Sequence, residues 1–203
     1  MSAHAEAAAH DHGHHGPPPA NRSSRLDPTT LGMFLFIASE AMLFGAFFTA
    51  YFFVRVVNGT PWPTEGFHLP VFVAGVNTCI LVTSSFPVHW ALHSIKRDNR
   101  AGMQAGLVLT IALGFVFLLT QAREYSRIGF APHDGAFGTI FYGLTGLHGA
   151  HVFVGLMLLT FATIRAFRGH YSAAHHHGVE IPGIYWHFVD VMWIIVWAAV
   201  YLL

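Results

Sequence analysis

Residues 183–203 read GIYWHFVDVMWIIVWAAVYLL. As an α-helix this stretch would extend about 30 Å, the thickness of a bilayer's hydrocarbon core. It lacks the strict alternation of a barrel strand, so helix is the expected state. Two residues interrupt the oil: His187 and Asp190, three apart and therefore on one helix face. An ionised side chain at mid-membrane costs at least ~2.5 kcal/mol. The pair must therefore be buried in a bundle and hydrogen-bonded, either to each other or to adjacent helices. A helix of this kind requires neighbours.

Those neighbours are present in the chain. Apolar runs near 30–54, 70–92, 102–122 and 137–164 join 183–203 to give five spans. The connectors between them carry turn and breaker residues: NGTPWPTEG, KRDNR, APHDG and RGHYSAAHHHGVEIPG. Composition agrees: 54% of residues are hydrophobic and 10% charged, against about 25% charged in a soluble domain. Net charge is zero with no basic block, which excludes nucleic acid as a partner. A single cysteine, Cys79, excludes a disulfide framework.

The expected fold is an all-α integral membrane bundle of five transmembrane helices over residues 28–203. Residues 1–27 hold five of the sixteen histidines and a Pro-Pro-Pro run, and are read as a disordered cytoplasmic tail. Arg22, Arg25, Lys96, Arg97, Arg100, Arg165 and Arg168 fall on one side of the membrane, and Arg55, Arg123 and Arg127 on the other. That split places the N-terminus inside and the C-terminus outside. Small residues recur at Gly102, Gly106, Thr110 and Gly114, at Ala41, Gly45 and Thr49, and at Gly143, Gly146 and Gly149. These stripes are read as close helix-packing surfaces. No internal repeat suggests a transporter built from duplicated halves.

Glu40, about ten residues into the first span, lies near mid-membrane, with Phe36, Phe44 and Phe47 on its face. It is either a proton-exchanging, reactive carboxyl or a structural acid tied to a partner. His148 and His151 share a face of the fourth span. Such pairs can hold metal, haem or a proton relay. A dinuclear carboxylate site would need Glu-x-x-His on two helices with further glutamates, which this chain lacks. His148, His151, His187 and Asp190 are accordingly read as intramembrane docking groups. His175, His176 and His177 are read as a polar loop, and Glu124 as pairing with Arg123. Arg165 and Arg168 end the fourth span at the level of lipid phosphates. No residue is assigned to catalysis or to a metal.

The motifs FLFIASEAMLFGAFFTAYF, LLTQAREY, GLTGLHGAHVFVGL, HHHGVE and YWHFVDVMWIIVW occur in that order over residues 30–203. In wording, order and spacing they resemble subunit III of the haem–copper oxidases. The resemblance implies a subunit without its own redox centre. It would sit against redox subunit I of a complex that reduces oxygen to water and pumps protons, with haem and copper in the partner subunits. It further implies bound phospholipid, support of proton uptake, a carbodiimide-reactive carboxyl at Glu40 and a lipid-phosphate contact at Arg165. Long members of that family have seven spans and this chain matches the last five, so the long form's lipid cleft has no full counterpart here. The short form implies a bacterial plasma membrane. The wording is closer to cytochrome c oxidases than to quinol oxidases, which stand as the alternative, with a nitric-oxide-reductase accessory protein a lesser one. An independent membrane haem or metal enzyme and a proton-coupled transporter centred on Glu40 are the competing readings.

Overall fold

The computed structural model describes residues 28–57, 59, 62, 69–173 and 175–203. The tail expected to be disordered, 1–27, and most of the first connector lie outside the described residues. The elements are α1 (Pro28–Phe52), α2 (Val71–Lys96), α3 (Arg100–Tyr125), α4 (Gly135–Phe167) and α5 (His177–Trp197). α1 and α5 each run on into a π-helical turn, Phe53–Val57 and Ala198–Leu202 respectively. All five helices are long and apolar enough to cross a membrane, and no β-strand occurs among the described residues.

Local chemistry sets the ends. Between α2 and α3 the chain reverses through Asp98, whose φ of 58° is left-handed, a conformation Asp tolerates better than most residues. The Asn99 side chain then accepts the Gly102 N–H at 3.0 Å and caps α3. α4 stops at Gly169, φ 74°, whose N–H returns to the Ala166 carbonyl.

α5 starts at His177, six residues earlier than the sequence suggests, and takes in the Gly-Val-Glu-Ile-Pro-Gly stretch expected to be connector. Pro182 cannot donate to the Gly178 carbonyl one turn back. The Tyr171 hydroxyl donates to that carbonyl instead, at 3.4 Å, so the helix tolerates the proline.

The core is built on α2, α3, α4 and α5. On α3, Gly102, Gly106, Thr110 and Gly114 are all buried. A Cβ on Gly106 would stand 2.5 Å from the Pro87 carbonyl oxygen of α2, so only glycine permits this approach. Trp186 of α5, fully buried, lies against two glycines of different helices. A Cβ on Gly114 of α3 would come within 2.5 Å of its ring, and one on Gly155 of α4 within 2.9 Å.

α1 differs. Of its residues only Phe44 and Tyr51 are buried. The stripe Ala41, Gly45 and Thr49, expected to pack, is exposed, and a Cβ on Gly45 would meet nothing within 4 Å among the described residues. The α4 notch is likewise open at Gly146 and Gly149, and only Gly143 receives a neighbour, the Phe47 ring. A spacing of four shows that small residues share a face; it does not show whether that face turns inward.

Candidate intramembrane polar site

Glu40 and His151, 111 positions apart in sequence, meet in the structure: Glu40 Oε2 lies 2.8 Å from His151 Nε2. Glu40 is 12 residues from the start of α1, or about 18 Å along the helix, and His151 sits midway along α4. The contact is therefore deep in the membrane. Phe44 closes one side of it, its ring 5.0 Å from the imidazole.

The other imidazole nitrogen fixes the chemistry. His151 Nδ1 lies 2.8 Å from the Leu147 carbonyl oxygen, which can only accept, so Nδ1 carries a proton. In the neutral imidazole Nε2 is then an acceptor, and Glu40 must be the donor, as a carboxylic acid. The alternative is imidazolium facing carboxylate. In either case one proton is held between Oε2 and Nε2, and the pair carries no net charge in oil.

The second cluster joins α5 to α2. Ser85 donates to Asp190 Oδ2 and lies 3.2 Å from His187 Nδ1. Because the serine hydroxyl is spent on the carboxylate, its lone pair faces His187 Nδ1–H, which gives one direction: His187 to Ser85 to Asp190. His187 and Asp190 therefore meet through a residue of another helix, not directly. Two indoles extend this seam. Trp186 Nε1 donates to Ser84 at 2.8 Å and Trp193 Nε1 to Thr78 at 2.9 Å. Ser84, Ser85 and Thr78 carry no signal by themselves in an apolar run, and sequence reasoning missed them.

His148 separates from His151. It is fully buried, with Trp193 4.7 Å from its ring and the Phe117 ring edge-on at 5.8 Å, and neither nitrogen has a hydrogen-bond partner among the described residues. The two nitrogens of His151 are already engaged and His187 faces Ser85, so the three histidines do not converge on one point. Among the described residues no group of three His, Cys, Asp or Glu could hold a metal ion.

At the end bearing Lys96, Arg100 and Arg168, the Arg165 guanidinium sits over the rings of Phe161 and Tyr171, 6.0 and 5.7 Å from their centroids. It borders a cavity of about 250 Å³ whose walls include Thr29, Leu158 and His177. Burial raises the Tyr171 phenol above its usual pKa, and Arg165 pulls the other way. Arg168, at the end of α4, is exposed. Of the three histidines expected to form a polar loop, His177 instead opens α5, where its Nδ1 lies 3.3 Å from Glu180 of the same first turn; in the loop before it His176 Nδ1 is 2.8 Å from the Ala173 carbonyl. No ion pair joins Arg123 and Glu124 among the described residues, because adjacent helical positions point about 100° apart. At this opposite end Tyr51 and Arg55 donate to the Ala199 carbonyl and Trp62 to that of Val200, at 2.8 Å for the indole. These bonds satisfy the last turn of α5 and tie the end of α1 to it.

Residues 13–203 match the family described as cytochrome c oxidase subunit III. The chain is 41% identical over 198 residues to cytochrome c oxidase subunit 3 of Thermostichus vulcanus, covering 97% of this chain and 94% of that one. It is 41% identical over 194 residues to the same subunit of Synechocystis sp., covering 95% and 79%. Against that of Oryctolagus cuniculus it is 40% identical over 176 residues, covering 84% and 67%.

Proposed function

This chain belongs to the cytochrome c oxidase subunit III family, and from that premise we propose that its intramembrane polar groups serve assembly and a buried proton, while electrons travel in partner subunits. It is a multi-pass subunit of a terminal oxidase, an oxidoreductase complex of the respiratory chain. The relatives' names favour the cytochrome c branch over quinol oxidation. In this reading haem and copper belong to neighbouring subunits, and subunit I is the main contact. The membrane is a bacterial plasma membrane, with the N-terminus inside.

Glu40 is the protonated, carbodiimide-reactive carboxyl. The reading is carried by the bond from Glu40 Oε2 to a histidine whose other nitrogen is committed to a carbonyl. A carbodiimide needs the acid form, and the neutral pair supplies it. Asp190 and His187 dock α5 on α2, and the half-buried His187 leaves Nε2 to a partner in the complex. Arg165 holds a lipid phosphate at the mouth of its cavity.

The decisive experiment labels the purified complex with an apolar carbodiimide. The wild-type chain is expected to take up label at one site, and Glu40→Gln to lose it while oxygen consumption stays within about twofold. Full labelling of Glu40→Gln would overturn the assignment. A haem band that follows this chain when it is separated from the larger subunits would overturn the division of labour.

A further inference from the structure

We propose that the start of α5 and residues 10–15 together bind a zinc-class divalent metal ion, with His176 and Glu180 as two ligands and histidines of the N-terminal segment as the rest. The geometry begins at His176. Its Nδ1 lies 2.8 Å from the Ala173 carbonyl oxygen, so in the neutral imidazole Nδ1 carries the proton and Nε2 presents a bare lone pair. That lone pair faces Glu180 Oε2 at 4.0 Å, too far for a hydrogen bond. Two acceptors turned toward each other call for a cation between them. Zinc stands about 2.0–2.2 Å from an imidazole nitrogen or a carboxylate oxygen, so the gap admits it. The outer contacts are also in place. The Ala173 carbonyl fixes the His176 tautomer, and His177 Nδ1, 3.3 Å from Glu180 Oε2, steadies the carboxylate.

The described residues alone hold no set of three donors, and the sequence supplies the others at the right place. α1 begins at Pro28, and Thr29 lines the same cavity of about 250 Å³ as His177. Residues 1–27 therefore join the helix bundle beside the His176 loop. They include His10, His12, His14 and His15, four histidines in six positions. His15 precedes Thr29 by 14 residues, which span up to about 46 Å when extended. The chain reaches His176 with length to spare. Because both halves belong to one polypeptide, an ion bound to either meets the other at an effective concentration on the order of millimolar. Two imidazoles from this run complete a four-coordinate set of three nitrogens and one oxygen. Those donors suit zinc, whereas calcium and magnesium require oxygen.

The test titrates zinc chloride into the intact oxidase complex after a chelator wash, with diethyl pyrocarbonate as a histidine probe read residue by residue by peptide mass spectrometry. His176 and the histidines of residues 10–15 are expected to become protected at one common zinc midpoint, while the exposed His133 stays reactive. Glu180→Gln should raise that midpoint about tenfold, and His176→Gln should do the same for residues 10–15. Replacing His10, His12, His14 and His15 by glutamine changes nothing in the five helices and should raise the His176 midpoint about a hundredfold. Arg168→Gln should shift neither. An unchanged midpoint for residues 10–15 in His176→Gln and Glu180→Gln would mean that the segment binds by itself, and would overturn the shared site. So would a His176 that stays reactive while residues 10–15 are protected, or one protected equally well without the four histidines. No protection at any zinc concentration that leaves the complex intact would overturn the metal site altogether.

Discussion

α1 and α5 carry the same device, an acidic residue sunk in an apolar helix, and use it at opposite densities of packing. Asp190 belongs to a seam where α5 meets α2 through Ser85, Trp186–Ser84 and Trp193–Thr78, with Trp186 also seated against glycines of α3 and α4. Glu40 belongs to a helix with only two buried residues, where the bond to His151 is its polar tie at mid-membrane. The difference teaches that a buried acid takes its role from what surrounds it. In the seam it is one fastening among several; on α1 it is the mid-membrane tie, with Tyr51 and Arg55 fastening the far end of the helix to the Ala199 carbonyl.

The sharpest break of that comparison exploits two small-residue stripes alike in sequence. Gly106→Leu should remove the subunit from the assembled complex almost entirely, since even a Cβ there falls 2.5 Å from the Pro87 carbonyl oxygen. Gly45→Leu, facing open space within this chain, should leave the subunit's own fold intact, as read by limited proteolysis of the detergent-extracted complex. Equal losses would mean that α1 packs as tightly as α3 does.

This pair also marks how far the sequence could be read. The five spans were legible because apolar length is a one-dimensional property, and hydropathy registers it directly. The direction of a stripe was not, because Gly45 and Gly106 present the same spacing and differ only in what lies opposite. The start of α5 was hidden by Pro182, whose cost is offset by a tyrosine eleven positions away. Glu40, His148, His151, His187 and Asp190 stood out as polar residues in oil. Their partners did not: Ser85 is an ordinary serine by composition, and no local pattern links positions 40 and 151.

A smaller effect is expected in the seam. Asp190→Ala strips Ser85 of its acceptor and His187 of its polarised neighbour, and should cost about 1–3 kcal/mol of subunit stability. In practice the subunit would dissociate at lower detergent concentration with haem content unchanged. Asp190→Asn, which keeps an acceptor oxygen for Ser85, should recover most of that loss. His187→Ala should fall between the two. If Asp190→Ala assembles with normal yield and detergent resistance, the seam does not depend on this residue.

The smallest and most discriminating change is at Glu40. Because His151 Nδ1–H is committed to the Leu147 carbonyl, Nε2 needs a donor and is indifferent to which group supplies it. Glu40→Gln offers an amide N–H in the same place, so the α1 contact should survive within about 1 kcal/mol, although the reactive carboxyl is gone. Glu40→Leu fills the volume but donates nothing, leaving Nε2 unpartnered beside Phe44, and should loosen α1 by about 1–3 kcal/mol. Hydrogen exchange of α1 amides in the intact complex reads this directly: faster for Leu, near wild type for Gln. The ordering tests the proton's place as well as the contact. Were the resting pair imidazolium and carboxylate, the protonated Nε2 would require an acceptor, and glutamine could satisfy it only by presenting its carbonyl oxygen. Its bond would then be a weaker one between a cation and a neutral group, with an uncompensated charge left in the membrane. Glutamine would then be as disruptive as leucine or more so, and a single comparison of the two variants separates a shared neutral proton from a buried ion pair.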